Sequence, residues 1–372
     1  MKREDIEKEL KYLQEVGNYR SLKIKNENLL DLSSNDYLGL AKDEDLKKEF
    51  YKKYSPKLSS SSSRLIDGSY EEIMRLERKA EEIYGKSCIM FNSGFDANSS
   101  LIETFCNKDI LILTDRLNHA SIYDGIINSG AKFLRYKHLN MLELEKLLEK
   151  YREKFEDILV ISESIYSMDG DIADIEKLVE LKKKYKFTLM IDEAHSYGVY
   201  GYGIVYNLNL VNDVDFLVIP LGKGGGSVGA MVICENYFKD YIINKSRKFI
   251  FSTALPPVNS CWNLFILEKM NDFDEKRGKL EFLKNYTLKL LHENEIKTDS
   301  TTHIISIIIG DNFKITKLSE NMREKGYLLY PVKEPTVPKG TARFRIGLNP
   351  TITTEEIENF IKELKNELNT IF

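Results

Sequence analysis

Apolar residues recur along this chain in two alternating rhythms. Over residues 71–84 they return every third or fourth position, the spacing of a helix with one buried face. Short apolar runs then appear at 88–91, 110–113, 132–136, 158–163, 187–191, 215–219 and 230–234, each of strand length. Helical spacing returns between the earlier runs, at 96–105, 120–129, 141–155 and 175–185. Alternation of this kind predicts βαβ units, and so an α/β fold with a mainly parallel sheet and helices on both faces. Ahead of this block the pattern predicts a helix over 6–16 and an extended segment over 28–32. From about residue 259 it changes to a long helical stretch, short strands at 304–309 and 342–348, and a final helix over 354–371. The expected division is an N-terminal helix and extended segment (1–45), a large domain (46–258) and a smaller α+β C-terminal domain (259–372). The serine run over 59–63 has linker composition, but Ser63-Arg64-Leu65-Ile66-Asp67-Gly68 follows at once and favours ordered structure. No internal repeat is visible.

Composition narrows the class. At 372 residues the chain can bury a large core, and 42% hydrophobic with 30% charged residues describes an ordinary globular protein. A net charge of −4, with acids interspersed among the lysines, gives no electrostatic footprint for nucleic acid. The charged start has no apolar stretch for a signal peptide, and no run reaches membrane-span length. Cys88, Cys106, Cys234 and Cys261 are scattered without a Cys-x-x-Cys pair, so neither a zinc site nor a disulfide framework is expected. These features point to a cytoplasmic enzyme with reduced thiols and no nucleic-acid or membrane partner.

The chemistry gathers where strands are expected to end. Lys223 lies in Leu221-Gly222-Lys223-Gly224-Gly225-Gly226, where glycines let backbone approach a flat ligand and clear room around an amine. Asp192, in Asp192-Glu193-Ala194-His195, closes an apolar run at the carboxyl edge of a strand, where parallel sheets present ligands. Gly-Lys and Asp-Glu-Ala-His also match nucleotide-binding strings, but Gly224 stands where a P-loop needs Ser or Thr, and the two strings come in reversed order. An amine and an acid on two such edges fit pyridoxal phosphate, which needs a lysine for its aldehyde and a carboxylate for its ring nitrogen. Other strand ends supply matching groups. The Gly94 and Phe95 amides open a helix and suit a phosphate; the alternative is an ordinary N-cap turn. His119 could stack on a planar ring or simply cap a helix. Ser167 could donate to a ring oxygen or serve a turn, and His195 could reach the same ring.

The chain from about Leu32 onward resembles the α-oxoamine synthase family of pyridoxal-phosphate enzymes, within the aspartate-aminotransferase fold type. The strings that carry the resemblance are Ser34-Asn35-Asp36-Tyr37-Leu38-Gly39-Leu40, Asn118-His119-Ala120-Ser121, Ser167-Met168-Asp169-Gly170-Asp171, Asp192-Glu193-Ala194-His195, Phe251-Ser252-Thr253-Ala254-Leu255-Pro256-Pro257 and Pro335-Thr336-Val337-Pro338-Lys339-Gly340-Thr341-Ala342-Arg343. It is most similar to the biotin-pathway members, which join L-alanine to a pimeloyl thioester, pimeloyl-CoA or pimeloyl-acyl carrier protein, to give 8-amino-7-oxononanoate. Sister activities, such as glycine C-acetyl transfer, are the alternative; a non-catalytic subunit on this fold often lacks the lysine, so Lys223 argues against that reading.

The resemblance implies that Lys223 holds the cofactor and shuttles a proton. It implies further that Asp192 faces the ring nitrogen, His119 stacks on the ring, and Ser167 and His195 bond its phenolic oxygen side. The amides of Gly94 and Phe95 would hold the phosphate. Family members are homodimers with shared active sites, so Ser252 and Thr253 would reach the partner's phosphate. Arg20, Asn35, Thr336 and Arg343 match substrate positions, with Arg343 on the amino-acid carboxylate and Arg20 on the distal acyl carboxylate. Three departures stand out: Pro220 replaces a phosphate-bonding threonine, the 59–63 serine run replaces a glycine-rich stretch beside the acyl channel, and Gly347-Leu348-Asn349-Pro350 varies a C-terminal string.

Overall fold

The structure, a computed structural model, describes residues 2–22 and 24–371. Its main sheet has seven strands, in the order Ser87–Phe91, Ala230–Cys234, Phe216–Pro220, Thr188–Asp192, Asp157–Glu163, Ile110–Asp115 and Lys132–Tyr136. The last five of these run parallel to one another, while Ala230–Cys234 is antiparallel to both its neighbours. The mainly parallel sheet read from the alternating pattern is therefore present, with one reversed strand that a loop around Lys223 connects to the parallel set.

Central strands of such a sheet are covered on both faces, which explains why they read as unbroken apolar runs rather than alternating ones. Phe216–Pro220 and Ala230–Cys234 are buried throughout. The edge strand Lys132–Tyr136 leaves three positions exposed, and two of them, Lys132 and Arg135, are charged. Helices Gly94–Phe105 and Ala120–Ser129 place Ala97, Leu101, Ile122 and Ile126 against Ile112, Ile161, Met190 and Val218 of the sheet. Each leucine, isoleucine, methionine or valine among these contributes roughly 1.5–3 kcal/mol by leaving water. Parallel strands share one carboxyl edge, so Asp115, Glu163, Asp192 and Pro220 end on the same side.

The chain forms two compact units that are not consecutive in sequence. One comprises 36–167 and 172–277; the other comprises 1–35, 168–171 and 278–372. Two local reasons separate these from the linear division at 45 and 258. Helix Pro257–Glu268 packs on helix Glu71–Tyr84, within the first unit. Strand Leu30–Asp31 pairs in parallel with Tyr327–Leu328, within the second. That second unit also has a three-stranded antiparallel sheet, Pro331–Val332, Ala342–Gly347 and Ile304–Gly310, with helices Asn312–Glu324 and Thr354–Ile371.

Three local features depart from or sharpen the sequence reading. The helix expected over 141–155 ends at Tyr151 and tightens into a 3₁₀ turn, Arg152–Lys154. The helix expected from residue 96 starts at Gly94, because Ser93 caps it by accepting the Asp96 N–H at 3.0 Å. The serine run is pinned rather than loose. Ser60 Oγ donates to the Ala254 carbonyl at 2.6 Å, the Ala254 N–H donates to the Ser62 carbonyl at 2.8 Å, and Ser63 bridges Thr253. Among the described residues, no helix is long and apolar enough to cross a membrane.

Candidate active site

Nine of the expected site residues belong to the larger unit: Gly94, Phe95, His119, Ser167, Asp192, His195, Lys223, Ser252 and Thr253. The loop carrying Lys223 closes between Pro220 and Ala230. Leu221 N–H donates to the Gly229 carbonyl at 2.9 Å, and Trp262 Nε1 donates to the Gly226 carbonyl at 3.1 Å. The glycines there do more than clear room for a ligand. A side chain at Gly224 would run into the Tyr197 carbonyl, so the lysine loop presses directly on the backbone that follows Asp192. This loop-on-loop contact brings Lys223 to His195: Nζ and Nε2 lie 2.7 Å apart. An ammonium can only donate, so His195 accepts through Nε2 when Lys223 is charged. Its Nδ1 then bonds the Tyr37 hydroxyl at 2.6 Å. Tyr37 is fully buried and was not singled out as a site residue, although it stands inside one of the quoted strings.

Asp192 is buried, and both its oxygens are engaged. Oδ1 accepts the Ala194 N–H at 2.8 Å, and Oδ2 accepts from Asn98 Nδ2 at 2.6 Å. Asn98 reaches it from helix Gly94–Phe105 and donates its second N–H to Ser121 Oγ at 3.0 Å. Ser121 in turn meets His119, with Oγ 2.9 Å from Nδ1 and its own N–H donating to Nδ1 at 3.3 Å. His119 retains solvent-exposed surface, yet the protein around its ring disfavours the charged form and lowers its pKa from 6.5; Asp192 opposes this and Lys223 adds to it.

A second carboxyl lies beside Asp192 in the sheet. Glu163 is its register partner on the neighbouring strand, and Oε1 accepts the His119 N–H at 2.6 Å. Burial, then the nearby Asp192 charge, push the Glu163 carboxyl up to about 8. Glu193 is raised to about 7, chiefly by burial, while the N–H groups of Val205 and Ile204 and the Ser164 hydroxyl hold it down. Neither glutamate was read as a site residue. Their setting follows from strand register and burial, which residue type alone does not display.

At the start of helix Gly94–Phe105, helix geometry leaves the N–H groups of Gly94 and Phe95 without intrahelical acceptors. Gly94 lies against Pro220: a Cβ there would come within 2.7 Å of the proline ring. Proline supplies no N–H and no hydroxyl at this point, so these helix amides face the position without a side-chain donor from residue 220. Ser167 is half-buried after its strand end, and Thr253 is exposed, its carbonyl accepting from Asn92 Nδ2 at 2.7 Å.

The other four candidates belong to the second unit. Arg20 Nη2 donates to Thr336 Oγ1 at 3.3 Å, so two residues far apart in sequence meet. Arg343 is buried and pairs with Asp169, while its Nε donates to the Thr341 carbonyl at 3.1 Å. A guanidinium has five N–H donors, so these contacts do not exhaust it. Asn35 is half-buried just past strand Leu30–Asp31. Among the described residues no cluster suited to a metal ion occurs.

Comparison with known proteins places this geometry. Residues 27–364 match the model of the aminotransferase class I and II family. A Glaesserella parasuis protein with the provisional name 8-amino-7-oxononanoate synthase is 41% identical over 342 residues, 90% of each chain. A Haemophilus influenzae protein with the same provisional name is 41% identical over 344 residues, again 90% of each chain. Among solved structures, serine palmitoyltransferase from S. paucimobilis superposes with a TM-score of 0.88 at 24% identity, covering 99% of this chain and 97% of its own, and shows the shared fold. The 8-amino-7-oxononanoate synthase of Francisella tularensis gives a TM-score of 0.77 at 26% identity, covering 93% and 99%. The chain belongs to the aminotransferase class I and II family, as an enzyme of its α-oxoamine synthase branch.

Proposed function

We propose that this enzyme condenses L-alanine with a pimeloyl thioester, releasing the thiol and carbon dioxide, to form 8-amino-7-oxononanoate. The observation that carries the reading is the 41% identity over nine-tenths of both chains to proteins bearing that synthase name. The donor set fits pyridoxal 5'-phosphate: a half-buried primary amine, a buried carboxylate and a pair of helix-opening amides, all in one compact unit. When bound, this cofactor supplies an electron sink for negative charge developing on a carbon next to nitrogen.

The chain's own groups then take separate tasks. Lys223 Nζ would hold the cofactor through its aldehyde carbon and would move the alanine α-proton, and His195 Nε2, 2.7 Å away, would steer that amine. Asp192 would face the ring nitrogen and favour its protonated form. His119 would cover the ring, and Ser167 would lie toward its phenolic oxygen. The Gly94 and Phe95 amides would take the phosphate, and Thr253 would meet the phosphate of a second copy in a homodimer. Arg343 is assigned the alanine carboxylate and Arg20 the distal acyl carboxylate, with Asn35 and Thr336 as further substrate contacts.

The test is mass spectrometry of the product made by the cofactor-loaded chain from L-alanine and pimeloyl-CoA or pimeloyl-acyl carrier protein. Glycine with acetyl-CoA, and serine with a long-chain acyl-CoA, run beside it. Selective formation of 8-amino-7-oxononanoate supports the reading. Product from another pair only would move the enzyme to a sister activity.

A further inference from the structure

We propose that Asn98 is a positioning residue: its amide fixes the Asp192 carboxylate and, through the Ser121 hydroxyl, holds His119 as the neutral imidazole with its proton on Nε2. The argument is one of hydrogen-bond polarity. Facing a carboxylate oxygen 2.6 Å away, the Asn98 amide must present nitrogen, because its carbonyl would repel the charge. The second N–H of the same nitrogen goes to Ser121 Oγ. Ser121, having accepted there, has its own proton to give, and the acceptor 2.9 Å away is His119 Nδ1. The Ser121 N–H points at the same nitrogen. Two donors converging on Nδ1 leave the imidazole proton on Nε2.

The arrangement carries a cost that packing alone does not explain. Asn98 is 1% exposed in the middle of a helix, and its carbonyl oxygen has no hydrogen-bond partner among the described residues. Asparagine is a poor helix former, and a buried unmet acceptor is destabilising. Both penalties are tolerated where both N–H groups are committed. The other titratable groups around His119 are Glu163, which accepts its backbone N–H, and Asp192 and Lys223, which act on its ring with opposite sign. The chain Asp192–Asn98–Ser121–His119 thus ties the group under the ring nitrogen to the group proposed over the ring. The inference rests on the reading of Asp192 and His119 as cofactor contacts.

The test is long-range proton–nitrogen NMR of the imidazoles in the full-length chain, with and without pyridoxal phosphate. The chain has 5 histidines, and the His119 signals are assigned by their loss in His119→Gln. In the native chain His119 should be the Nε2–H tautomer. In Asn98→Asp, an isosteric change, the Ser121 hydroxyl turns toward the new carboxylate and Nδ1 loses a donor. The His119 titration should then rise by at least about one pH unit, a tenfold change in proton affinity. Ser121→Ala, which adds no charge and should fold normally, must shift the titration in the same direction. If neither variant moves the tautomer or the titration, Asn98 only packs and the proposal is overturned. A cofactor dissociation constant unchanged in Asp192→Asn would instead overturn the Asp192 reading while leaving the NMR result intact.

Discussion

At the residue scale, Lys223 and Asp192 were legible because their types and neighbours are chemically unusual: an amine among glycines and an acid ending an apolar run. Their partners were not. Tyr37 and Asn98 are buried polar residues whose meaning depends on what faces them, His195 Nδ1 in one case and Asp192 Oδ2 in the other. Sequence spacing does not carry that information. The role of Asp192 is testable. Replacing it by Asn keeps the shape but removes the charge proposed to favour a protonated ring nitrogen. We expect kcat/KM to fall on the order of 10²-fold or more, the scale of a lost preorganised electrostatic contact. Steady-state kinetics of Asp192→Asn would show this, and a rate within twofold of the parent would refute the assignment.

At the element scale, the strand and helix pattern was readable because the central strands are apolar throughout and the helices carry one apolar face. What escaped was the contact of one element end with another. Gly94 reads as a helix-opening amide or part of an N-cap turn, but its lack of a side chain answers to the Pro220 ring that closes strand Phe216–Pro220. Gly94→Ala should therefore cost about 1–3 kcal/mol, as overpacking of a filled site does. Urea unfolding of the cofactor-free chain measures it. The same change in a Pro220→Gly background should cost clearly less, since both ring atoms that the new Cβ would meet are gone. Equal costs in the two backgrounds would show that Pro220 is not what excludes a side chain.

At the scale of the whole molecule, the α/β class and the smaller α+β portion were legible from the change of rhythm along the chain. The membership of each unit was not, because residues 1–35 and 168–171 join 278–372 through pairings that no local pattern encodes. Register likewise creates the carboxyl pair Glu163 and Asp192, with a consequence for stability. Burial first, and Asp192 second, raise the Glu163 pKa from 4.5 to about 8. A carboxyl raised in this way keeps its proton in the folded chain where the unfolded chain has released it. Its stabilising contribution is full below 4.5 and is lost as pH rises through about 8. In Glu163→Gln the fall of stability across that window should be shallower than in the parent, read from urea midpoints at several pH values. Parallel curves would show that Glu163 does not titrate there.

The claim on which the rest depends is that Lys223 is the residue holding the cofactor. Borohydride reduction of the full-length chain loaded with pyridoxal phosphate, followed by digestion and peptide mass mapping, tests it most directly. The account predicts one pyridoxyl-modified lysine, Lys223, and no modified peptide from Lys223→Ala. A label on another lysine, or an equal label on the variant, would contradict it.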